Sequence, residues 1–536
     1  MKQIKLKYAY FFCLIFIVLT SFYLGVTYTF YNQDFHHWSF ILSMFTDYNN
    51  GFRLFKDIFL SYGPGQTIFF NLVNYFIKID IVSIGIITNF IYAINFIILY
   101  KIFLRITSKK ISIILTFIIF LIHPYSILPW PDYLSGFCMN IFIYLFLKSN
   151  KEEQSSIMLA SFLFLSFFFR NTYIVNIALA IFGYLILNFI FIKKNLYIKI
   201  FNLFLIQTLI YFLILWYYDN LYNFFSHSFS LLMTFADNTN RLDAREEIIK
   251  NYGDSMWIVL RLIYFVIRSF FSLINLSIIS NLIFILFIFF NILLVFTLKK
   301  KEYLNNPLEQ KIVFVSFLGL CGFTQSFYHF ENFRVINSSI GIFVAGLYLL
   351  KKKTITRADK NINFIVSIMV LILLTINFVK DFSSNIFQYL KTNQNTYLLI
   401  NNNFFGNKKI NKDSAKYYNE LGNILCKKNL EIINFSPDIA LTYLCDNKNN
   451  HQRIYVNDPA NENKETYYKN TFRSGHINKD YKEIIIEKKI PKEKIIITFR
   501  EVKFTNDENI IISKFATGHN MQIWQLPVNI FIYQKQ

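Results

Sequence analysis

Residues 81–104 read IVSIGIITNFIYAINFIILYKIFL, a run with one charge, Lys101, that is long enough to cross a hydrocarbon core of about 30 Å as a single helix. The stretches 173–192 and 276–298 read the same way. The whole chain of 536 residues is 54% hydrophobic and 19% aromatic, with a mean hydropathy of +0.37. That is more apolar side chain than one water-soluble core of this length can hide, so lipid must act as solvent for much of it. The run 9–28 follows Lys2, Lys5 and Lys7 and lacks a small-residue cleavage site, so it reads as a retained first helix and not a removed signal.

The formal net charge of +21 would raise nucleic acid as a partner, but much of the basic charge lies in short clusters between apolar runs. No nucleic-acid role is expected. The clusters fix an orientation instead. Lys2/Lys5/Lys7, Lys101/Arg105/Lys109/Lys110, Lys148/Lys151, Lys193/Lys194/Lys199, Lys299/Lys300/Lys301/Lys311 and Lys351/Lys352/Lys353/Arg357/Lys360 all belong on the cytoplasmic side. About eleven spans satisfy them, near 9–29, 81–105, 110–122, 132–148, 155–169, 172–192, 200–217, 277–298, 312–328, 335–350 and 363–380. The apolar stretch 256–275 carries Arg261 and Arg268, which suits a helix lying at the outer interface. The odd span count places the N-terminus in the cytoplasm and the C-terminus outside, in the inner (plasma) membrane of a bacterium.

The expected architecture is therefore a polytopic α-helical membrane domain, 1–380, followed by a small soluble α/β domain, 381–536, on the extracytoplasmic side. After Lys380 the composition turns to Asn, Lys, Asp and Glu. Strands are expected at 431–435, 453–456, 494–499, 510–515 and 522–526, and a helix at 413–426. Cys426 and Cys445, the two cysteines outside the apolar spans, read as a disulfide in an oxidising compartment or as two buried thiols.

Four outer loops follow from the threading: 31–65, 123–131, 218–255 and 329–334. The first opens with Asp34-Phe35-His36-His37-Trp38 and runs through Gly51 and Lys56-Asp57 to Tyr62-Gly63-Pro64-Gly65. Asp34 reads as a base at the membrane surface or as a helix-end carboxylate bonded to backbone. Adjacent histidines point to different sides of most backbones, so His36 or His37, but not both, positions a ligand, pairs with Asp34 or binds a metal. Asp57 stands four residues from Arg53 and reads as functional or as its ion-pair partner.

This layout resembles the GT-C superfamily of polyprenyl-phosphate-sugar-dependent membrane glycosyltransferases, which place an acidic residue just after the first helix, then a Gly, an aromatic–Asp pair and a Pro-containing turn. On that resemblance Asp34 takes the acidic position and the catalytic-base role, Asp57 the second, and Tyr62-Gly63-Pro64 the turn, with Tyr62 near the substrate. The span count, long first outer loop and C-terminal α/β domain extend the likeness over most of the chain. The chain departs from relatives such as the protein O-mannosyltransferases, which have adjacent Asp-Glu where Phe35 and the His pair follow Asp34. The acceptor therefore stays open among envelope glycan, lipid and protein. Asp132, after Pro129-Trp130-Pro131, matches by position a second outer-loop carboxylate of the aminoarabinose transferases; it also reads as a helix cap.

Transfer from a lipid phosphate releases an anion, which calls for a cation near the outer interface. Arg170, between two apolar spans, and Arg334, in Tyr328-His329-Phe330-Glu331-Asn332-Phe333-Arg334, fit that need, with His329 and Glu331 beside the second. Arg170 also reads as an interfacial arginine, and Arg334 as a partner closing the turn with Glu331. No cofactor is indicated, and a divalent metal stays open. P-loop, dinucleotide, CxxC and HExxH motifs do not occur, so the sequence gives no support to nucleotide hydrolysis, dinucleotide redox chemistry or zinc proteolysis. The leading expectation is a glycosyltransferase taking a polyprenyl-phosphate-linked sugar. The alternatives are a glycan polymerase or ligase, which would carry one large late loop, and a lipid-linked-sugar transporter or flippase, which would show half-chain repeats and mid-membrane charges.

Overall fold

The computed structural model of the chain describes residues 2–60, 62–149, 156–191, 197–225, 227–228, 288, 291–292, 294, 306–322, 332–352, 398–399, 402–410, 412–426, 430–436, 438–445, 447–450, 489–490, 493–498, 510–520 and 527–535. These are mostly helical, with a small sheet. In chain order the helices are α1 (Lys2–Tyr31), α2 (Phe35–Asn49), α3 (Gly65–Asn74), α4 (Ile81–Phe103), α5 (Lys109–Ile122), α6 (Pro131–Lys148), α7 (Ser156–Phe169), α8 (Tyr173–Phe191), α9 (Ile198–Tyr217), α10 (Pro307–Gly322), α11 (Asn332–Ser338), α12 (Ile340–Lys352) and α13 (Lys412–Leu425).

Among the described residues four helices are long and apolar enough to cross a membrane: Tyr8–Tyr31, Ile81–Phe103, Tyr173–Ile190 and Ile198–Tyr217. The chain is a helical membrane protein on this evidence. Its apolar surface agrees, since α9 leaves Leu205, Ile206, Leu209, Ile210, Leu213 and Ile214 exposed, a stripe that water would not tolerate. Exposed Trp216, Tyr217, Tyr218 and Tyr222 follow, residues favoured at a lipid–water boundary.

The other expected spans differ. The runs 110–122 and 155–169 form α5 and α7, each of 14 residues, or about 21 Å at 1.5 Å per residue, short of the hydrocarbon thickness. The run 132–148 forms α6, an 18-residue helix that includes Asp132 and Lys148, and 335–350 is broken between α11 and α12 at Ser339. The runs 256–275 and 363–380, and nearly all of 277–298, lie outside the described residues.

The chain divides into two compact units, one made of Met1–Gly25, Thr88–Leu213 and Arg245–Asn385, the other of Val26–Ile87, Ile214–Ala244 and Ile386–Gln536. A boundary near 380 was expected; that position lies outside the described residues, and the unit holding the C-terminal residues also takes in Val26–Ile87 and Ile214–Ala244. In the first unit, α10 and α12 approach until backbones touch. A Cβ at Gly319 would stand 2.4 Å from the Ile342 nitrogen, and one at Gly341 would stand 2.1 Å from the Val315 oxygen. Small residues permit such close crossing where lipid offers helices no hydrophobic drive to associate. At the ends of α4 and α6, Lys101, Arg105 and Lys148 gather around the Tyr144 ring at 5.7–5.9 Å, bringing two of the basic clusters together.

In the second unit, Asp34 caps α2 by accepting from the His37 backbone N–H at 3.2 Å. This helix was read as loop, because 15 residues are too few to span and nothing in 31–65 declares a soluble core. Packing decides it: Trp38, Phe40, Ile41, Leu42, Met44 and Phe45 are all buried, each worth roughly 1.5–3 kcal/mol of burial. Pro64 stands at the N-cap of α3, and Gly63 holds φ +129°, so the expected turn starts a helix.

The strands are β1 (Leu398–Leu399) and β2 (Lys409–Ile410), paired antiparallel, and β3 (Glu431–Asn434), β4 (Lys494–Thr498), β5 (Ile510–Asn520) and β6 (Pro527–Lys535) in the order β3-β4-β6-β5. The β3–β4 pair is parallel and the others antiparallel, aligning Ile433 with Ile496 and Ile497 with Ile532 in the core. Strand β6 was not among the expected strands; Pro527 is its first residue, a position where a strand tolerates the missing N–H. The expected strands 453–456 and 522–526 lie outside the described residues. The helix expected at 413–426 is α13, and a disulfide joins Cys426 to Cys445.

Behind α13, Asp438 is buried and accepts from Tyr417 and Tyr418 hydroxyls at 3.2 Å each. Burial pushes its carboxyl up to about 7, outweighing those hydrogen bonds. The folded state then holds a proton the unfolded chain has lost between the ordinary value of 3.8 and about 7, so stability falls as pH rises through that window. Thermal unfolding of the purified protein is expected to show this decline, with a slope of up to about 1.4 kcal/mol per pH unit. Asp438→Asn removes it; a slope unchanged in that variant refutes the assignment.

Candidate active site at the head of α2

Helix α1 ends at Tyr31 and α2 begins at Phe35, so residues 32–34 must turn the chain within three positions. Asn32 organises the turn: its Oδ1 accepts from the Asp34 backbone N–H at 2.8 Å and from Trp38 Nε1 at 3.2 Å. The Asp34 carboxylate, already bound to the His37 N–H, also meets His37 Nδ1 through Oδ2 at 2.7 Å. Both side chains remain partly open, 13% exposed for Asp34 and 23% for His37. With Asp34 Oδ2 on His37 Nδ1, the two side chains form a carboxylate–imidazole couple across which a proton can pass. His36 lies in the first turn of the same helix; its side chain lies outside the described residues.

A residue that the sequence did not single out completes the surroundings. Lys408 is fully buried, donates to the Thr29 carbonyl at 2.6 Å near the end of α1, and lies 4.9 Å from the Trp38 ring centroid and 5.8 Å from that of Phe35. Burial drives its ammonium down to about 7, with the Asp34 charge pulling the other way. Next to it, Lys409 donates to the Tyr31 hydroxyl at 2.5 Å, and Gln33 donates to the Lys409 carbonyl at 3.1 Å. Strand β2 is thereby stitched to the link that presents Asp34. Nothing in Asn407-Lys408-Lys409 marks these lysines off from others in a lysine-rich segment.

Asp57 is in a different condition. Arg53 grips it with Nε at 2.9 Å and Nη2 at 3.2 Å, and the Arg53 N–H adds a third bond at 3.0 Å. The hydrogen-bonded guanidinium holds this carboxyl below the usual carboxylate range, which makes it a weaker base, and the contact is the ion pair given as the other reading of Asp57. Tyr62 sits in the same unit, its ring edge-to-face with Phe40 at 6.0 Å.

Asp132 and Arg170 belong to the other unit. Asp132 lies in the first turn of α6 and Arg170 just beyond α7; the Arg170 Nη1 bonds Asp132 Oδ2 with both residues buried, and Arg170 Nε reaches Thr172 Oγ1 at 3.1 Å. The partner of this costly arginine is thus a protein carboxylate. The pair bears on two expectations together, a phosphate site at Arg170 and a base at Asp132, since each residue has the other as a partner. Arg334 is half-buried in α11, while His329 and Glu331 lie outside the described residues. Among the described residues no three His, Cys, Asp or Glu side chains group closely enough to hold a metal ion.

No protein-family model and no curated protein sequence matches this chain.

Proposed function

We propose that this chain is a membrane glycosyltransferase that moves a sugar from a polyprenyl-phosphate donor to an envelope glycan, lipid or protein on the extracytoplasmic face. The observation that carries the reading is the Asp34–His37 pair, a partly open carboxylate–imidazole couple placed directly after the first membrane-length helix. Asp34 acts as the base, with His37 sharing its proton. The acceptor hydroxyl oxygen attacks the anomeric carbon as its proton passes to the pair, and the bond from that carbon to the phosphate oxygen breaks. Polyprenyl phosphate leaves already charged, so it needs a cation and no acid.

The remaining parts of the reading go together. A cytoplasmic N-terminus and a C-terminal domain outside follow from the basic clusters, and the joining of Lys101, Arg105 and Lys148 around Tyr144 supports putting those helix ends on one side. The disulfide between Cys426 and Cys445 supports an oxidising compartment for the domain that holds it. A transporter reading predicts charge at mid-membrane; the buried Asp132–Arg170 pair instead lies at helix ends, in the first turn of α6 and just beyond α7, and is internally matched.

The test combines orientation and chemistry. Alkaline phosphatase fused after Lys380 is expected to be active, and membranes containing the protein are expected to move label from a radioactive polyprenyl-phosphate-linked sugar into an envelope acceptor. An inactive fusion reverses the topology. Label that stays on the lipid across a panel of lipid-linked hexoses and pentoses removes the transferase reading.

A further inference from the structure

At the other end of α2 from Asp34, the second unit contains a cleft of about 540 Å³, within the size range of small-ligand sites. Thr46, on its wall, is twelve residues from Asp34, or about 18 Å along the helix, so the cleft is distinct from the Asp34–His37 pair. Its rim carries the exposed side chains of Asn49, Lys78, Asn403 and Lys448, and its floor is made by Phe404 and Tyr443.

The floor is rigid. The Phe404 and Tyr443 rings stack at 4.7 Å with 5° between their planes, and the Tyr443 hydroxyl donates to Asp47 Oδ1 at 2.7 Å. The Cys445 disulfide to Cys426 anchors one wall to the end of α13, and Lys78 Nζ joins the opposite one by donating to Asn403 Oδ1 at 2.5 Å. Walls fixed before binding reduce the ordering cost that a ligand must overcome.

The lining chemistry selects the ligand. A carboxamide offers a donor and an acceptor in one plane, the pattern that meets neighbouring hydroxyls on a sugar ring, and an aromatic floor suits that ring's C–H face. Lysines 78 and 448 add positive charge, and among the described residues no Asp or Glu lines the cleft. We propose that this cleft binds a negatively charged saccharide. A strand of acidic envelope glycan has this chemistry, and the inference holds whether or not Asp34 catalyses transfer.

The experiment titrates the purified full-length protein in detergent with tetragalacturonate, maltotetraose and tetraglutamate by calorimetry. Tetragalacturonate is expected to bind, more weakly as salt rises, and Lys78→Gln/Lys448→Gln, which removes both rim charges, is expected to weaken it by about two- to ten-fold. Asp34→Asn should leave it unchanged, which separates this site from the transferase reading. Both lysines are exposed, and unchanged melting of the double variant checks that the fold persists. No binding of tetragalacturonate, equal binding of maltotetraose, tetraglutamate binding as tight, or indifference to the double substitution each overturns the proposal.

Discussion

Replacing Asp34 by Asn is expected to lower sugar transfer by about 10²-fold or more, the usual size of a general-base contribution, with the protein still inserted and folded. The fold should survive because Asn is as good an N-cap as Asp, so the bond from the His37 backbone N–H to residue 34 is kept while basicity is lost. His37→Gln should cost less than Asp34→Asn, since an amide can still donate to the carboxylate. Asp57→Asn should change turnover little, because that carboxylate is committed to Arg53. Steady-state rates on a lipid-linked sugar, with melting curves for each variant, check the series. Near-normal turnover in Asp34→Asn reduces that residue to a cap.

Asp132→Asn and Arg170→Ala act on stability. Each leaves the other member of a buried ion pair without its counter-charge, and such single deletions cost about 3–5 kcal/mol. Both variants are therefore expected to melt early and accumulate poorly, and any loss of transfer in them follows loss of fold. The double variant Asp132→Asn/Arg170→Gln removes both charges and should recover much of the stability, a coupling that a pair in contact must show. If Asp132→Asn melted like the wild type yet abolished transfer, the base would move to α6. If Arg170→Ala melted like the wild type and lost only donor affinity, the phosphate role would return to Arg170.

Much of this fold was written in apolar run length. Long runs such as 81–104 and 200–217 announce themselves because lipid demands about 20 apolar residues in sequence, whatever their neighbours do. Helix α2 did not, since its existence depends on packing around Trp38 and on a single capping carboxylate. The site was legible by halves for the same reason. Asp34 is marked by its place after α1, and the Arg53–Asp57 and Asp34–His37 pairings lie within four residues. Lys408 comes from more than 370 residues away in sequence, as its bond to Thr29 requires, and no local signal could place it. The Asp132–Arg170 pair, 38 residues apart, was equally hidden: each residue alone looked available, and only the packing of α6 with α7 shows that they neutralise each other.

The most direct measurement is mass spectrometry of the lipid phase after a polyprenyl-phosphate-linked sugar is incubated, with an envelope extract as acceptor, with purified wild-type protein and with Asp34→Asn side by side. The account predicts free polyprenyl phosphate accumulating with the wild type and about 10²-fold more slowly with the variant. Equal conversion by both proteins, or an unchanged donor with both across the lipid-linked sugars tested, would contradict it.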